Sequence, residues 1–395
     1  MKQTVRKAYQ FRLTLKPEQI SQLVAYTGSL RFVWNKALAM NLHRLEAKQP
    51  VLWYQELNFF ANLWKQSADY GFLKELPSQS LQQRLKDLDR AFKDAFDKTQ
   101  SGKRIPVFKK KGRNVDSIRF PQGFKIDPGS NRLFLPKLGW IHYRNSRKID
   151  GLAKNITVSR VGRHWYASIQ AEKTIEITPH PATSIIGVDL GVKRLITLSN
   201  GRFYPGQATG KRLAGKLAKL QRQLKHKTKF SNNWRKLQAK IARLHERMAH
   251  ARKDTLHKVS TELSKNHAVI VVEDLKVKNM SKSAKGTREK PGRQVKAKSG
   301  LNKAILEQGW GTLVNFLDYK QAWRGGQVIK VDPRHTSRQC PRCSHTAREN
   351  RRTQTDFQCA SCGYRNNADV VGAKNVLTRG HRVLAGLAPA IPVGS

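Results

Sequence analysis

Ile185-Ile186-Gly187-Val188-Asp189-Leu190-Gly191 is a short, unbroken apolar run that ends in an acid and a glycine. A run of this length without polar alternation reads as a buried strand. Ile196-Thr197-Leu198 follows as its hairpin partner. The same form returns at Ala268-Val269-Ile270-Val271-Val272-Glu273-Asp274, and Gln327 to Val331 supplies a further strand. Two long helices are expected between the two acid-ended strands. Leu213, Leu217, Leu220 and Leu224 mark the first, and Trp234, Leu237, Ile241, Leu244 and Met248 mark the second. Lysines and arginines fill their remaining faces. A helix around 301–323 and a last one over Asp369 to Leu377 complete an α/β pattern.

Carboxylates at strand ends in such a sheet project into the crevice where these folds place ligands. Asp189 and Glu273 are so placed, and Asp369 opens the last helix. Three converging acids repel one another unless divalent cations hold them. Hard oxygen ligands favour Mg²⁺ or Mn²⁺. Two such ions about 3.5–4 Å apart activate a water and stabilise the leaving oxygen of a phosphodiester. On this reading Asp189 bridges both ions, Glu273 and Asp369 each complete the shell of one, and none is a covalent nucleophile. Any one of these acids could equally be a cap or turn residue. Asp274 is a rival ligand, but neighbouring strand residues point oppositely, so one of the pair faces the site. Asp332 precedes Pro333 and reads as a turn former.

All four cysteines fall in one window, Cys340-x2-Cys343, fifteen residues, Cys359-x2-Cys362. That spacing is a zinc signature, and four thiolates close the tetrahedral shell, so the metal is structural. His335 and His345 flank a knuckle and are expected at the surface.

The chain has 395 residues, 38 % of them apolar, with 76 lysines and arginines against 27 acids, a net charge of +49. Charge on this scale calls for a polyanion, with nucleic acid as the default partner and an anionic membrane as the competitor. There is no run of eighteen apolar residues and no signal segment, so neither insertion nor export is expected. Thiols in zinc spacing agree with a reducing cytoplasm.

Tyr9 to Leu13 alternates as a first strand, and Pro17 opens a helical region with Ile20, Leu23, Leu30, Val33 and Leu38 in phase. Ser80 with Gln83 suggests a capping box ahead of Leu81, Leu85, Leu88, Phe92 and Phe96. Residues 17–100 are expected to form a helical bundle. Gly102 to Gly112 is a basic loop, and strands follow at 133–135, 141–143, 156–159 and 164–169, the last two a hairpin about Gly162. The opening strand is expected to join this sheet, which makes the bundle an insertion. Trp34, Trp53, Phe59, Phe60 and Trp64 are core or base-stacking candidates. Pro179 to Pro181 reads as a linker, 281–300 as mobile, and the tail from Gly380 as disordered.

The set Gly187-Val188-Asp189-Leu190-Gly191, Val271-Val272-Glu273-Asp274-Leu275, Thr336-Ser337 before the first knuckle and Asn367-Ala368-Asp369 after the second resembles the TnpB (OrfB) family. These insertion-sequence proteins are related to the type V CRISPR effector nucleases. Arg31-Phe32-Val33-Trp34-Asn35 and the stretch Ser281 to Leu301 fit as well. The resemblance implies a multidomain α+β protein. A β-barrel wedge (1–16 and 101–180) holds a helical recognition insert (17–100). An α/β RuvC-like, RNase H-type nuclease domain (181–335 and 367–380) is interrupted by a zinc ribbon (336–366), and a tail spans 381–395. It further implies a transposon-encoded, RNA-guided DNA endonuclease of the prokaryotic cytoplasm and nucleoid, with a guide RNA from the transposon end and target DNA as partners. Asp189, Glu273 and Asp369 match the family's three catalytic acids. Ser344 departs from the glycine usual after the first knuckle, and Asp369-Val370-Val371-Gly372-Ala373 departs from smaller, more polar residues.

Two other functions fit parts of the chain. A phosphotransferase also uses Asp-x-Gly after a strand, but it needs a second phosphate loop, for which Gly325-Gly326 is a faint candidate. A non-catalytic zinc-ribbon binder acting as guided repressor or transposition regulator shares every feature except the need for all three acids. A tyrosine transposase would need a His-hydrophobic-His motif, which the sequence lacks.

Overall fold

Tyr9, Phe11 and Leu13 are buried along β1 (Lys2–Thr14) while the residues between them face solvent. This is the alternation of a strand with one covered face. In this computed structural model every residue is described except Met1, Ser101, Gln207 and the stretch 387–395. After β1 come α1 (Pro17–Glu46), α2 (Tyr54–Gln66), a 3-10 segment (Ala68–Glu75) and α3 (Ser78–Phe96). Strands β2 (Ser117–Phe120), β3 (Lys125–Asp127), β4 (Arg132–Leu135), β5 (Gly139–Tyr143), β6 (Leu152–Val161) and β7 (His164–Glu176) follow. They form one sheet of order β2-β6-β7-β1-β5-β4-β3, so β1 is central and the helices are an insertion. Phe11, Phe120, Leu135 and Ile156 from the sheet share a core with Leu23, Leu30, Leu85 and Phe92 from the helices.

Local details depart from expectation. Pro77, in extended backbone, precedes the first turn of α3, so Ser80 lies inside the helix. Its hydroxyl donates to the Arg119 carbonyl at 2.7 Å rather than forming a capping box. Phe96 is exposed, Trp34 and Trp64 are buried, and Trp53 and Phe59 face solvent. The Gly162 hairpin is present, with Val161 opposite His164 and Gly162 at φ +59°. The Arg31–Asn35 motif acts as a clasp for the basic loop. Trp34 Nε1 donates to Val107 O, and Asn35 exchanges two hydrogen bonds with the Lys109 backbone.

The second body begins at Glu176, five residues before the expected boundary at 181. The linker is anchored to this body, with His180 Nε2 2.9 Å from Ser264 O. Its elements are β8 (Ile185–Leu190), β9 (Arg194–Leu198), β10 (Phe203–Pro205), α4 (Ala208–Lys225), α5 (Asn232–Asn266), β11 (Val269–Glu273) and α6 (Val277–Met280). Next come α7 (Val295–Gln308), α8 (Trp310–Ala322), β12 (Gln327–Val331), β13 (Asp356–Gln358), β14 (Arg365–Asn367) and α9 (Ala368–Leu384). The sheet order is β10-β9-β8-β11-β12, with β8, β11 and β12 mutually parallel and β9 and β10 antiparallel.

Three expectations are corrected here. The helix expected over 301–323 is two helices, because Gly309 at φ +72° turns the chain between α7 and α8. Residues 295–300 of the stretch expected to be mobile are helical. Lys298 Nζ donates to Met280 O, and Asn302 Nδ2 to the Ser281 and Lys282 carbonyls. Helix α9 runs past the expected tail boundary at 380 to Leu384. Gly380 is a packing glycine there, since a Cβ would lie 2.3 Å from Val271 Cγ2. The rest of that tail, 387–395, lies outside the described residues. No helix among the described residues is long and apolar enough to cross a membrane.

Candidate active site and metal centre

Strand alternation decides which side chains meet. Ile186, Val188 and Leu190 of β8 enter a core with Leu256 and Leu263 of α5 and Leu313 and Leu317 of α8. Ile270 and Val272 of β11 enter the same core. Gly187, Asp189, Val271 and Glu273 therefore face the opposite side of the sheet. The strands run parallel with Val271 beside Gly187 and Val272 beside Val188, and Glu273 and Asp189 come next on each. Helix α9 covers this face at unusually short range. A Cβ on Gly187 would fall 2.2 Å from Ala373 O, and one on Gly372 would fall 3.1 Å from Asp189 Oδ1. Asp369 stands in the first turn of α9, which Asn367 caps by accepting from the Asp369 N–H at 3.1 Å.

The three expected acids are thus electrostatic neighbours. Burial pushes the Asp189 carboxyl up to about 8, the charges of Glu273 and Asp369 add to the rise, and Arg351 opposes it. Burial also raises Glu273, against a hydrogen bond from Thr336 and the charge of Arg379. Thr336 Oγ1 donates to Glu273 Oε1 at 2.5 Å. Asn375 Nδ2 donates to the Thr336 and Gln339 carbonyls, each at 2.7 Å, and so ties α9 to the segment that grips Glu273. Arg351 Nη2 lies 3.8 Å from Asp369 Oδ1. The rival acids are engaged elsewhere. Asp274 pairs with Lys276 at 2.7 Å, and Asp332 Oδ1 accepts from the Arg334 N–H, as a turn former does.

The four cysteine sulfurs lie within 4.8 Å of one another, with Cys340–Cys362 at 3.6 Å and Cys343–Cys359 at 3.5 Å. A zinc–sulfur bond of about 2.3 Å puts tetrahedral sulfurs about 3.8 Å apart, so the donor set fits zinc and closes its shell. His335 and His345 are exposed and outside this cluster. The two knuckles share one hydrogen-bond pattern. Cys340 N–H donates to His345 O and Ser344 N–H to Cys340 O, while Cys359 N–H donates to Tyr364 O and Gly363 N–H to Cys359 O. Ser344 and Gly363 are therefore equivalent, at φ +62° and +72°. Ser344→Gly is expected to stabilise the ribbon by about 0.5–1 kcal/mol, since the left-handed conformation costs a side chain roughly 1–2 kcal/mol and glycine's extra unfolded-state freedom takes some back. Slower proteolysis between 336 and 366 would register the gain, and unchanged or faster proteolysis would refute it.

Three family models match the chain. One described as a probable transposase, OrfB of IS605, covers residues 168–284. A Cas12f1-like TNB domain covers 310–376, and a helix-turn-helix domain of OrfB covers 1–49. An Escherichia coli (strain K12) protein, "Putative RNA-guided DNA endonuclease InsQ", is 50 % identical over 379 residues, 96 % of this chain and 93 % of its own length. The chain belongs to the TnpB (OrfB) family. A Streptomyces pristinaespiralis relative, also named as a putative RNA-guided DNA endonuclease, is 32 % identical across 96 % of the chain and 90 % of its own. The structure of a Cas12f1–sgRNA–target DNA complex aligns at 14 % identity and a TM-score of 0.47, covering 94 % of this chain and 98 % of that one.

In this TnpB chain residues 2–49 hold one strand and one 30-residue helix, whatever the helix-turn-helix description of that segment suggests. Sequence reading did not single out Arg351, Asn375 or Asn350. Asn350 is fully buried and organises the ribbon, donating to Arg338 O and His345 O and accepting from the Ala360 N–H.

Proposed function

We propose that the chain is a transposon-encoded, RNA-guided DNA endonuclease that hydrolyses phosphodiesters at Asp189, Glu273 and Asp369. The observation that carries this reading is that Asp189 and Glu273 lie at the ends of neighbouring parallel strands, on the face covered by the helix whose first turn holds Asp369. There burial and the other two carboxylates push the Asp189 carboxyl up. Acids crowded and desolvated in this way are cation ligands in waiting. These three would hold Mg²⁺ or Mn²⁺, which when bound supplies an activated water and neutralises charge on the departing oxygen. Thr336 fixes the Glu273 rotamer, Asn367 fixes the start of α9, and Gly372 keeps the space beside Asp189 open. Arg351 brings a cation from the ribbon to Asp369, which links the zinc-held fold to the site.

In this reading the second body is the RuvC-like, RNase H-type domain and residues 336–366 are its zinc-ribbon insertion. The first body is the β-barrel wedge with its helical recognition insert. A net charge of +49 suits a protein that holds a guide RNA and its heteroduplex by backbone and shape, leaving sequence to base pairing. It would act in the prokaryotic cytoplasm on the nucleoid. The test is to sequence the RNA that copurifies with the protein and to offer guide-matched DNA in Mg²⁺. A defined RNA species and cut DNA are expected. Random RNA fragments with intact DNA would reduce the protein to a zinc-bearing polycation.

A further inference from the structure

Within the first body, Arg31, Arg84, Lys109 and Asp116 line a recessed cavity of about 160 Å³. Arg31 and Asp116 pair at 2.8 Å and so nearly cancel, which leaves Arg84 and Lys109 as the excess charge. The Arg84 side chain is 14 % exposed. Its Nη2 donates to Ser117 O at 2.9 Å, but its buried Nε has no hydrogen-bond partner. The nearest acid, Asp87, stands 3.9 Å away. Lys109 Nζ lies 3.5 Å from the centre of the Trp34 ring, and burial together with Arg84 lowers its pKa to about 8, with Asp87 opposing. Two cations crowded in a partly dry hollow are unfavourable until an anion joins them. The loop cannot easily swing away to relieve the crowding, because Asn35 holds the Lys109 backbone on both sides. The void is far larger than one water needs and has room for a phosphate group. A guanidinium and an ammonium are the usual donors to such a group.

We propose that Arg84 and Lys109 form a seat for a single phosphate of the nucleic-acid backbone. The phosphate chemistry stands on the cavity alone; only its nucleic-acid source rests on the function proposed above.

Lys109→Met removes the charge and keeps the stem over Trp34, and Lys109→Arg restores the charge. In the first arm, full-length protein is melted in inorganic phosphate and in chloride at equal ionic strength. Phosphate is expected to raise the midpoint of wild type and Lys109→Arg about 2–4 °C more than that of Lys109→Met. In the second arm, neutral methylphosphonates are walked singly through the guide RNA and through matched DNA, and binding is measured. One position should weaken wild type about tenfold and leave Lys109→Met no weaker than before. The strand in which it falls names the source. Phosphate stabilisation without any coupled position would mark a small-anion site and overturn the backbone assignment. Failure of both arms overturns the seat. If the wild type binds no matched DNA, the guided-nuclease reading falls and the first arm still decides the seat.

Discussion

Asp189→Asn is expected to lower cleavage of guide-matched DNA by at least about a thousandfold, ~4 kcal/mol of barrier, while guided binding persists. Asparagine has the size of aspartate, so it fits the space beside Gly372 where only a glycine leaves Asp189 room. What it removes is the negative charge. The same charge weakens the metal-free fold, and this gives a second readout. The Asp189 carboxyl titrates near 3.9 in an unfolded chain and is pushed up to about 8 in the fold, by burial first and then by Glu273 and Asp369. The folded state therefore binds the extra proton across that interval, and stability falls as pH rises from about 4 to about 8. In buffer free of Mg²⁺ and Mn²⁺, with the zinc left bound, the melting point of Asp189→Asn should rise relative to wild type by several degrees between about pH 6 and pH 8. A variant that still cuts, or a melting-point difference from wild type that ignores pH in this interval, would remove the basis for treating Asp189 as the centre of the site.

Much of this site is written in two short apolar runs. Because Ile270 and Val272 point into the core, Val271 and Glu273 point out of it, and the same parity sets Gly187 and Asp189 beside them. Helix α9 is legible too, but nothing in the sequence marks Gly372 as a packing position, and Gly380 reads there as the start of the tail. Gly372 and Gly380 cost a helix about 1 kcal/mol each relative to alanine. That cost is explained by how closely the helix lies on β8 and β11. Ser344, noted as a departure from glycine, turns out to occupy a left-handed position that favours glycine.

Other features had no local signal. Asn375 and Thr336 gain their meaning from partners 39 and 63 residues away in sequence, so no window around either could reveal it. Arg351 looks like any other arginine in a basic chain until the ribbon folds it against Asp369. The break at Gly309 was hidden because Leu301, Ile305, Leu313 and Leu317 stay in helical phase on both sides of it. Ser80 with Gln83 matched a capping box, but Pro77 had already started the helix.

Cys359→Ser should cost the protein its zinc, taking the measured content from one ion per chain to near zero, and with it the ribbon's fold. The reason is the size of the alternative support. Apart from the thiols, the buried ribbon core consists of Phe357 with Ala368 and Val371 of α9, and Tyr364 packs partly buried against it. Full burial of one large apolar side chain contributes about 1.5–3 kcal/mol, whereas structural zinc in small fingers contributes an apparent ~10–16 kcal/mol at neutral pH. Without the metal, the hydrogen bonds of Asn350 have no fixed loops to join. Limited proteolysis should then cut between residues 336 and 366, while the Lys2–Ile175 body keeps its protection. Cleavage of matched DNA should fall by about a hundredfold or more, because Thr336 and Arg351 belong to the affected stretch and Asn367, the cap of α9, adjoins it. Added Mg²⁺ should not rescue it. Asp189→Asn provides the contrast, since it should keep a full zinc ion and a protease-resistant ribbon. A zinc-free Cys359→Ser protein that cuts DNA at the wild-type rate would show that the ribbon holds nothing the acids need.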